Sequence, residues 1–122
     1  MSLAINKILI YAKDMQRTSE FYERHFGFNS KADDDGRIIE LTSASGGANL
    51  LIHQAGKGVK LGQVGIKLVF DVKDVEAYKK KCAKLGLKFG STHQAEGYSY
   101  ANAKDPDKNS ISISSRAFRK SA

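Results

Sequence analysis

Two lysines occupy matching positions in a pattern that the sequence contains twice. Lys7 begins an alternating stretch that ends at Asp14, and Lys67 begins a second stretch that ends at Asp74. An ammonium group is a compact positive charge that binds carboxylates and other anions. The two lysines therefore predict an anion-binding site to which both copies of the pattern contribute.

Further candidates for a binding site lie at strand positions that point away from the helix side of each predicted sheet. The predicted ligand-binding residues are Lys7, Leu9, Tyr11, Glu40, Leu51, His53, Lys67, Tyr98, Tyr100 and Ser112. Polar residues at such positions indicate a binding site rather than a core, and the three tyrosines would supply aromatic walls. The alternative is that both lysines pair with Glu40 or Asp71 and bind nothing.

His53 is the candidate for a catalytic group, as a general base. An enzyme built on it would be a lyase or an isomerase, with a cavity lysine as its partner or as a Schiff-base nucleophile. No GxSxG motif and no ordered Ser, His and Asp set is present in the sequence. His25 falls on a helix stripe, and His93 is expected in a solvent-facing loop. The sequence favours a non-catalytic binding protein, and an interaction domain without a pocket is a third reading.

The elements that must position these residues are repeated as well. In each copy an alternating strand leads to an aspartate suited to cap a helix. An apolar stripe at helical spacing follows, and a glycine suited to a left-handed helix stop ends it. These landmarks are Asp14 and Gly27 in the first copy and Asp74 and Gly86 in the second.

Three further strands are predicted after each helix, at 28–31, 37–42 and 49–54, and then at 88–92, 98–103 and 110–114. The fold class is therefore α+β, with two βαβββ modules. We expect a single domain over 1–122, with module 1 at about 4–54, a linker at 55–64, module 2 at about 65–115 and a frayed basic tail at 116–122. Each sheet has a face that needs cover, so the modules are expected to enclose a cup.

Composition limits the partners and the location. The net charge of +7 would suit nucleic acid, but the lysines are scattered, without a basic stripe interleaved with aromatic residues, so no nucleic-acid partner is expected. The apolar runs are too short for a bilayer, and no signal peptide precedes the first strand, so no membrane partner is expected. Cys82, the only cysteine, reads as a buried thiol in a reducing compartment. The cytoplasm is the predicted location.

The repeated pattern resembles a known family. The paired strand–Lys–Asp–helix units, the Phe21-Tyr22 and Phe26-Gly27-Phe28 helix end, and the turn Asp105-Pro106-Asp107-Lys108-Asn109 are similar to the vicinal oxygen chelate superfamily. That superfamily includes glyoxalases, extradiol dioxygenases and bleomycin-resistance proteins. The resemblance implies paired βαβββ modules around a cup, and a homodimer.

The resemblance also locates the family's metal ligands in this sequence, at Lys7, Leu51, Lys67 and Ser112. None suits a divalent ion, because an ammonium repels it, leucine has no donor atom, and a lone hydroxyl binds weakly. One imidazole, from His53, cannot build a site that needs three or four ligands. We therefore expect no metal and no cofactor, and a small anionic organic molecule as the ligand. A metal held in another register is the alternative.

Overall fold

The computed structural model describes residues 2–120, and the three remaining residues at the ends of the chain lie outside the described part. The chain divides into an N-terminal unit, Met1–Leu61, and a C-terminal unit, Gly62–Ala122. The division falls inside the predicted linker. No helix among the described residues is long and apolar enough to cross a bilayer.

Each unit contains one helix and one four-stranded sheet. The N-terminal unit consists of β1 (Lys7–Ala12), α1 (Met15–Phe26), β2 (Asn29–Ala32), β3 (Ile38–Thr42) and β4 (Asn49–Gln54). Its strands lie in the order β1-β4-β3-β2. β1 runs parallel to β4, and the other neighbours are antiparallel.

The C-terminal unit repeats this plan. It consists of β5 (Lys67–Asp71), α2 (Val75–Lys84), β6 (His93–Ala95), β7 (Tyr98–Lys104), β8 (Ser110–Ser114) and a 3-10 helix at Arg116–Phe118. Its strands lie in the order β5-β8-β7-β6, and β5 is parallel to β8. The predicted α+β fold with two βαβββ modules is confirmed.

The predicted helix caps are confirmed. The Asp14 carboxylate accepts a hydrogen bond of 3.1 Å from the Arg17 amide, and the Asp74 carboxylate accepts one of 3.0 Å from the Ala77 amide. These bonds satisfy amides that have no partner inside the helix. Gly27 at the end of α1 takes a φ of 75°, in the left-handed region where a side chain is disfavoured.

Burial alternates along the strands and so defines two faces for each sheet. In β4, Leu50 and Ile52 are buried, whereas Leu51 and His53 are only partly covered. The buried residues lie on the face that meets α1, where Tyr22 is fully buried. We call the face away from the helix of a unit its open face.

One predicted strand is wrong. The segment 88–92 forms no strand, and the edge strand is instead β6, so His93 lies in the sheet opposite Tyr100 rather than in a loop. The apolar alternation that suggested a strand comes from Leu87 and Phe89, whose side chains are both buried. Alternating burial alone does not require a hydrogen-bonded ladder. The predicted starts of β2 and β3 are each one residue too early.

The turn before β8 is held together by one carboxylate. Asp105 is buried, and its Oδ1 accepts from the Asp107 amide at 2.8 Å and the Asn109 amide at 2.9 Å. Its Oδ2 accepts from Asn109 Nδ2 at 2.9 Å. This segment of the family resemblance therefore has a structural role, because it fixes the entry into β8.

The beginning of the C-terminal unit lies against the same turn. A Cβ added to Gly62 would come within 2.6 Å of Lys108 Cβ, and Gly62 has a φ of 77°. Only glycine fits such an approach without a local shift. Gly56 and Gly58, by contrast, have nothing within 4 Å of an added Cβ.

The predicted fraying of the tail is wrong for its first residues. Arg116–Phe118 forms a 3-10 helix, and Arg116 and Arg119 pack against Tyr98. A guanidinium above an aromatic ring is attracted by the negative ring face. The last two residues of the predicted tail lie outside the described part of the chain.

Candidate functional site

The open face of the N-terminal unit carries six of the predicted ligand-binding residues. They are Lys7, Leu9, Tyr11, Glu40, Leu51 and His53. The strand register places Leu9 beside Leu51 and Tyr11 beside His53. Leu9 and Tyr11 keep 42% and 46% of their surface exposed, which is enough for both to contact a bound molecule.

The positive charge of Lys7 is balanced on this face. Lys7 Nζ lies 3.6 Å from Glu40 Oε2, and the same oxygen accepts a hydrogen bond of 3.2 Å from Asn49 Nδ2. Asn49 in turn accepts a bond of 3.0 Å from the Ser43 amide. For Lys7, the pairing with Glu40 that the sequence left as an alternative is therefore observed.

His53 has a defined tautomer when neutral. Its Nδ1 lies 2.9 Å from the carbonyl oxygen of Gln54. A carbonyl oxygen can only accept, so Nδ1 carries the hydrogen, and Nε2 keeps the lone pair. The Tyr11 ring lies edge-on to the imidazole, with 5.6 Å between centroids. His53 could thus take a proton through Nε2.

On the open face of the C-terminal unit, the lysine Lys67 has a neutral partner. Lys67 Nζ donates a hydrogen bond of 2.9 Å to Asn102 Oδ1 and lies 6.0 Å from the centroid of the Tyr100 ring. Among the described residues, no carboxylate oxygen lies within 4.0 Å of this nitrogen. An amide has no net charge, so this contact does not balance the charge of Lys67. For Lys67, the pairing with Asp71 that the sequence left as an alternative is not observed.

Tyr98 and Tyr100 lie side by side on the same face, with 6.3 Å between ring centroids. The sequence prediction missed three residues next to them: His93, whose ring centroid is 5.1 Å from that of Tyr100, and Arg116 and Arg119 beside Tyr98. A cationic residue beyond the last predicted strand carries no periodic signal that would have placed it here. The structure thus brings cations and aromatic rings together where the sequence showed no such interleaving. The absence of a nucleic-acid partner stays a prediction.

Ser112 lies on this face but offers little surface. It is only 2% exposed, and its hydroxyl donates to the Ala101 carbonyl at 3.1 Å. A hydroxyl already bonded to the backbone gains little by contacting a ligand. Ser112 therefore packs beneath the open face and does not offer a polar contact to a ligand.

The two units also differ in charge. The N-terminal unit contains eight Lys and Arg against seven Asp and Glu, a net charge of +1. The C-terminal unit contains twelve against six, a net charge of +6. Almost all of the excess positive charge of the protein thus lies in the C-terminal unit, which contains Lys67.

The four positions at which the family resemblance expects metal ligands do not fit a divalent ion. Lys7 and Lys67 are cations at neutral pH, and Leu51 has no donor atom. Ser112 uses its hydroxyl hydrogen on a backbone carbonyl. Among residues 2–120, no three His, Cys, Asp or Glu side chains form a group that could hold a metal ion.

Two further titratable groups lie on the helices, away from the open faces. Burial lowers the pKa of His25, with a smaller contribution from the neighbouring Arg24 charge. Burial raises the pKa of the Cys82 thiol, and Lys81 opposes this shift. A thiol with a raised pKa is a poor nucleophile, so Cys82 is better explained as part of the core.

Comparison with known proteins identifies relatives of the fold. Residues 4–113 match the family model of the Glyoxalase/Bleomycin resistance protein/Dioxygenase superfamily. No curated protein sequence matches the chain.

Several solved structures share the fold at low identity. The antibiotic binding protein TnmS3 from Streptomyces sp. CB03234 is 19% identical, with a TM-score of 0.75 over 93% of this chain and 96% of its own. Lactoylglutathione lyase from Agrobacterium tumefaciens is 18% identical, with a TM-score of 0.72 over 93% and 94%. An integron cassette protein from the mobile metagenome of V. cholerae is 23% identical, with a TM-score of 0.74 over 93% and 96%.

Proposed function

The chain belongs to the glyoxalase/bleomycin resistance protein/dioxygenase superfamily, and from this premise we propose that it binds a small anionic organic molecule without a metal ion. The observation that carries the proposal is the environment of Lys67. Its ammonium group is held by the Asn102 amide on an open face and has no carboxylate within 4.0 Å among the described residues. A positive charge placed in this way is available to an anionic ligand.

The charge distribution supports the same proposal. The C-terminal unit carries a net charge of +6, which attracts anions and repels cations at moderate ionic strength. The similarity to TnmS3, described as an antibiotic binding protein, agrees with a binding role for this fold. The poor donor set at the expected metal positions agrees with a site that works without a metal ion.

Matched acid and amide pairs test the proposal. We would screen benzoate against benzamide, 2-naphthoate against 2-naphthamide, and hexanoate against hexanamide by thermal shift. The acids are expected to raise the melting temperature and the amides are not, and the effect should be lost in Lys67→Met. Lys80→Met, which removes an exposed charge from α2, is the matched control. Equal shifts for acids and amides, or a shift that survives in Lys67→Met, would contradict the proposal.

Metal independence needs its own measurement. Protein purified without chelator should contain no stoichiometric transition metal when it is measured by inductively coupled plasma mass spectrometry. The affinity for the best acid from the screen should be the same in excess EDTA and in excess Zn²⁺ or Ni²⁺. Loss of binding in EDTA, with recovery on adding one of these ions, would show that a metal is bound in another register.

A second candidate function is a lyase or isomerase. It is favoured by His53, whose Nε2 lone pair is left available by the Nδ1 bond to the Gln54 carbonyl. Lactoylglutathione lyase from Agrobacterium tumefaciens shares the fold. Borohydride trapping with carbonyl compounds, read by intact mass, would reveal a lysine Schiff base, and His53→Gln should abolish any turnover that depends on the base.

We also propose that the protein is a homodimer and acts in the cytoplasm. Both proposals come from the family resemblance and from the composition. Light scattering after size exclusion should give twice the chain mass of 13.4 kDa. A mass of one chain at micromolar concentration would contradict the dimer.

A further inference from the structure

The open face of the C-terminal unit carries a row of aromatic groups with cationic groups at its two ends. We call these six residues the tyrosine row: Lys67, Tyr100, His93, Tyr98, Arg116 and Arg119. The two tyrosine rings form its middle, with centroids 6.3 Å apart and planes inclined by 34°. The imidazole of His93 extends this aromatic surface, 5.1 Å from Tyr100 and inclined by 32°.

Cations lie at both ends of the row. Lys67 Nζ is 6.0 Å from the Tyr100 centroid, and Arg116 Cζ and Arg119 Cζ are 5.2 and 5.8 Å from the Tyr98 centroid. Arg116 also donates a hydrogen bond of 3.0 Å to the Tyr98 hydroxyl. Among residues 2–120, none of these three cations has a carboxylate oxygen within 4.0 Å. A guanidinium without a carboxylate partner can donate charge-assisted hydrogen bonds to an anionic group.

The length of the row follows from the strand. Asn102, which holds Lys67, and Tyr98, which contacts Arg116, lie four residues apart on the same face of β7. At roughly 3.3 Å per residue, the two ends are about 13 Å apart. This separation is greater than the span of a single carboxylate or phosphate group, so one small anion cannot contact both ends.

We infer that the ligand of the C-terminal unit is an elongated aromatic dianion, a flat ring system with one acidic group at each end. The inference rests on the proposed function and names its ligand class. One acidic group would meet Lys67, the other would meet Arg116 and Arg119 in a bidentate contact, and the ring system would lie along the tyrosines and His93.

A single-stranded nucleic acid also combines stacked rings with negative charge. The row is only two tyrosines long, and its cations lie at its ends rather than along a groove that could follow a phosphate backbone. The observations therefore favour a small dianion. An oligonucleotide serves below as the competing occupant.

Three compounds test the inference by calorimetric titration. Biphenyl-4,4′-dicarboxylate has the ring system and both acids, biphenyl-4-carboxylate lacks one acid, and decanedioate has both acids without a ring. The aromatic diacid is expected to bind about tenfold more tightly than the monoacid, since a charged hydrogen-bonded contact is lost in the latter. It should bind about threefold or more tightly than the aliphatic diacid.

Variants assign each part of the ligand to its residue. Arg116→Gln should bring the affinity for the diacid down to that for the monoacid and leave the monoacid unchanged. Tyr100→Leu should remove the preference for the aromatic diacid over decanedioate. Lys80→Gln, which removes a cation from the exposed side of α2, should change neither ratio.

Each contrary result has a distinct meaning. Decanedioate or the monoacid binding as tightly as the aromatic diacid would overturn the inference and leave the proposed function standing, because an acid would still bind at Lys67. If none of the acids binds, both are overturned. A dT10 oligonucleotide that binds more tightly than the diacid and loses affinity in Arg116→Gln would overturn the inference in favour of nucleic acid.

Discussion

The two units each place a lysine at the start of their first strand, and this lysine has a charged partner in one unit and a neutral partner in the other. In the N-terminal unit Glu40 lies beside Leu51, which lies beside Leu9; in the C-terminal unit Asn102 lies beside Ser112, which lies beside Val69. Glu40 and Asn102 therefore occupy equivalent positions.

The equivalence shows how a duplicated fold acquires one charged face. Lys7 meets the Glu40 carboxylate at 3.6 Å, whereas Lys67 meets the Asn102 amide at 2.9 Å. One side-chain difference in a shared framework decides whether the ammonium group is neutralised. A single substitution at Glu40 or Asn102 can therefore change the charge balance of the lysine beside it.

The largest difference in the free energy of unfolding is expected between changes at the start of the last strand in each of the two sheets. Asp105→Ala removes three hydrogen bonds to a buried carboxylate and should lower the free energy of unfolding by about 3 kcal/mol. Asn49→Ala, at the start of β4 in the N-terminal unit, removes bonds to Ser43 in the preceding turn and to Glu40 and should cost about 1 kcal/mol. Urea denaturation followed by circular dichroism measures both. Equal losses would show that the Asp105 turn has no special role.

Asn102→Asp should give Lys67 a carboxylate partner, as Lys7 has in the N-terminal unit. The new carboxylate would neutralise Lys67, so the affinity for 2-naphthoate should fall about tenfold, as expected for the loss of one charged contact. Asn102→Gln, which keeps a neutral amide, is the matched control and should lose much less. Isothermal titration at constant ionic strength measures both. Unchanged affinity in Asn102→Asp would remove Lys67 from the site.

Glu40→Gln makes the reverse change in the N-terminal unit. Lys7 then has an amide partner, as Lys67 does, and its charge becomes available to an anion. We expect the affinity for 2-naphthoate to rise about threefold, because the gain on a half-exposed face is screened by water. The rise should disappear in the double variant Glu40→Gln/Lys7→Met. A gain that survives this double variant would have another cause.

The smallest expected effect is a pH dependence of stability that comes from α1 and not from α2. The pKa of His25 in α1 is lowered in the folded protein, so the unfolded chain binds the proton more tightly and protonation favours unfolding. The stability contributed by neutral His25 is present above its unfolded pKa of about 6.5 and decreases as the pH falls below it. The residue at the corresponding distance from Asp74 is Leu85, which directly follows α2 and does not titrate. Melting temperatures from pH 8 to 5 should fall less steeply in His25→Gln than in the wild type, and parallel curves would contradict this assignment.

The sequence predicted the helices, their caps and the faces of the strands, because each depends on local alternation and on a few residue types. Asp14 and Gly27 lie where the pattern required them. Leu51 and His53 lie on the predicted face because side chains alternate along any strand. The segment 88–92 was assigned wrongly because two buried side chains imitate this alternation.

The partners of the lysines could not be predicted in this way. Lys7 and Lys67 are 60 positions apart, but Glu40 and Asn102 are 62 apart, because the C-terminal unit has two more residues between its lysine and the equivalent strand position. A constant repeat length would align Glu40 with Tyr100 instead. Arg116, Arg119 and His93 were missed because residues at chain ends and sheet edges reach the site through tertiary packing, which leaves no period in the sequence.

The close approach of Gly62 to Lys108 determines where the chain tolerates an insertion or a cut. A reporter or a protease site inserted at Gly62 would push on the turn that leads into β8, because even an added Cβ there comes within 2.6 Å of Lys108 Cβ. An added Cβ at Gly56 or Gly58 meets no atom within 4 Å, so an insertion there should leave both sheets in place. Nicking the chain there would therefore give two fragments with intact sheets, and the contribution of each half could be weighed by mixing wild-type and altered pieces.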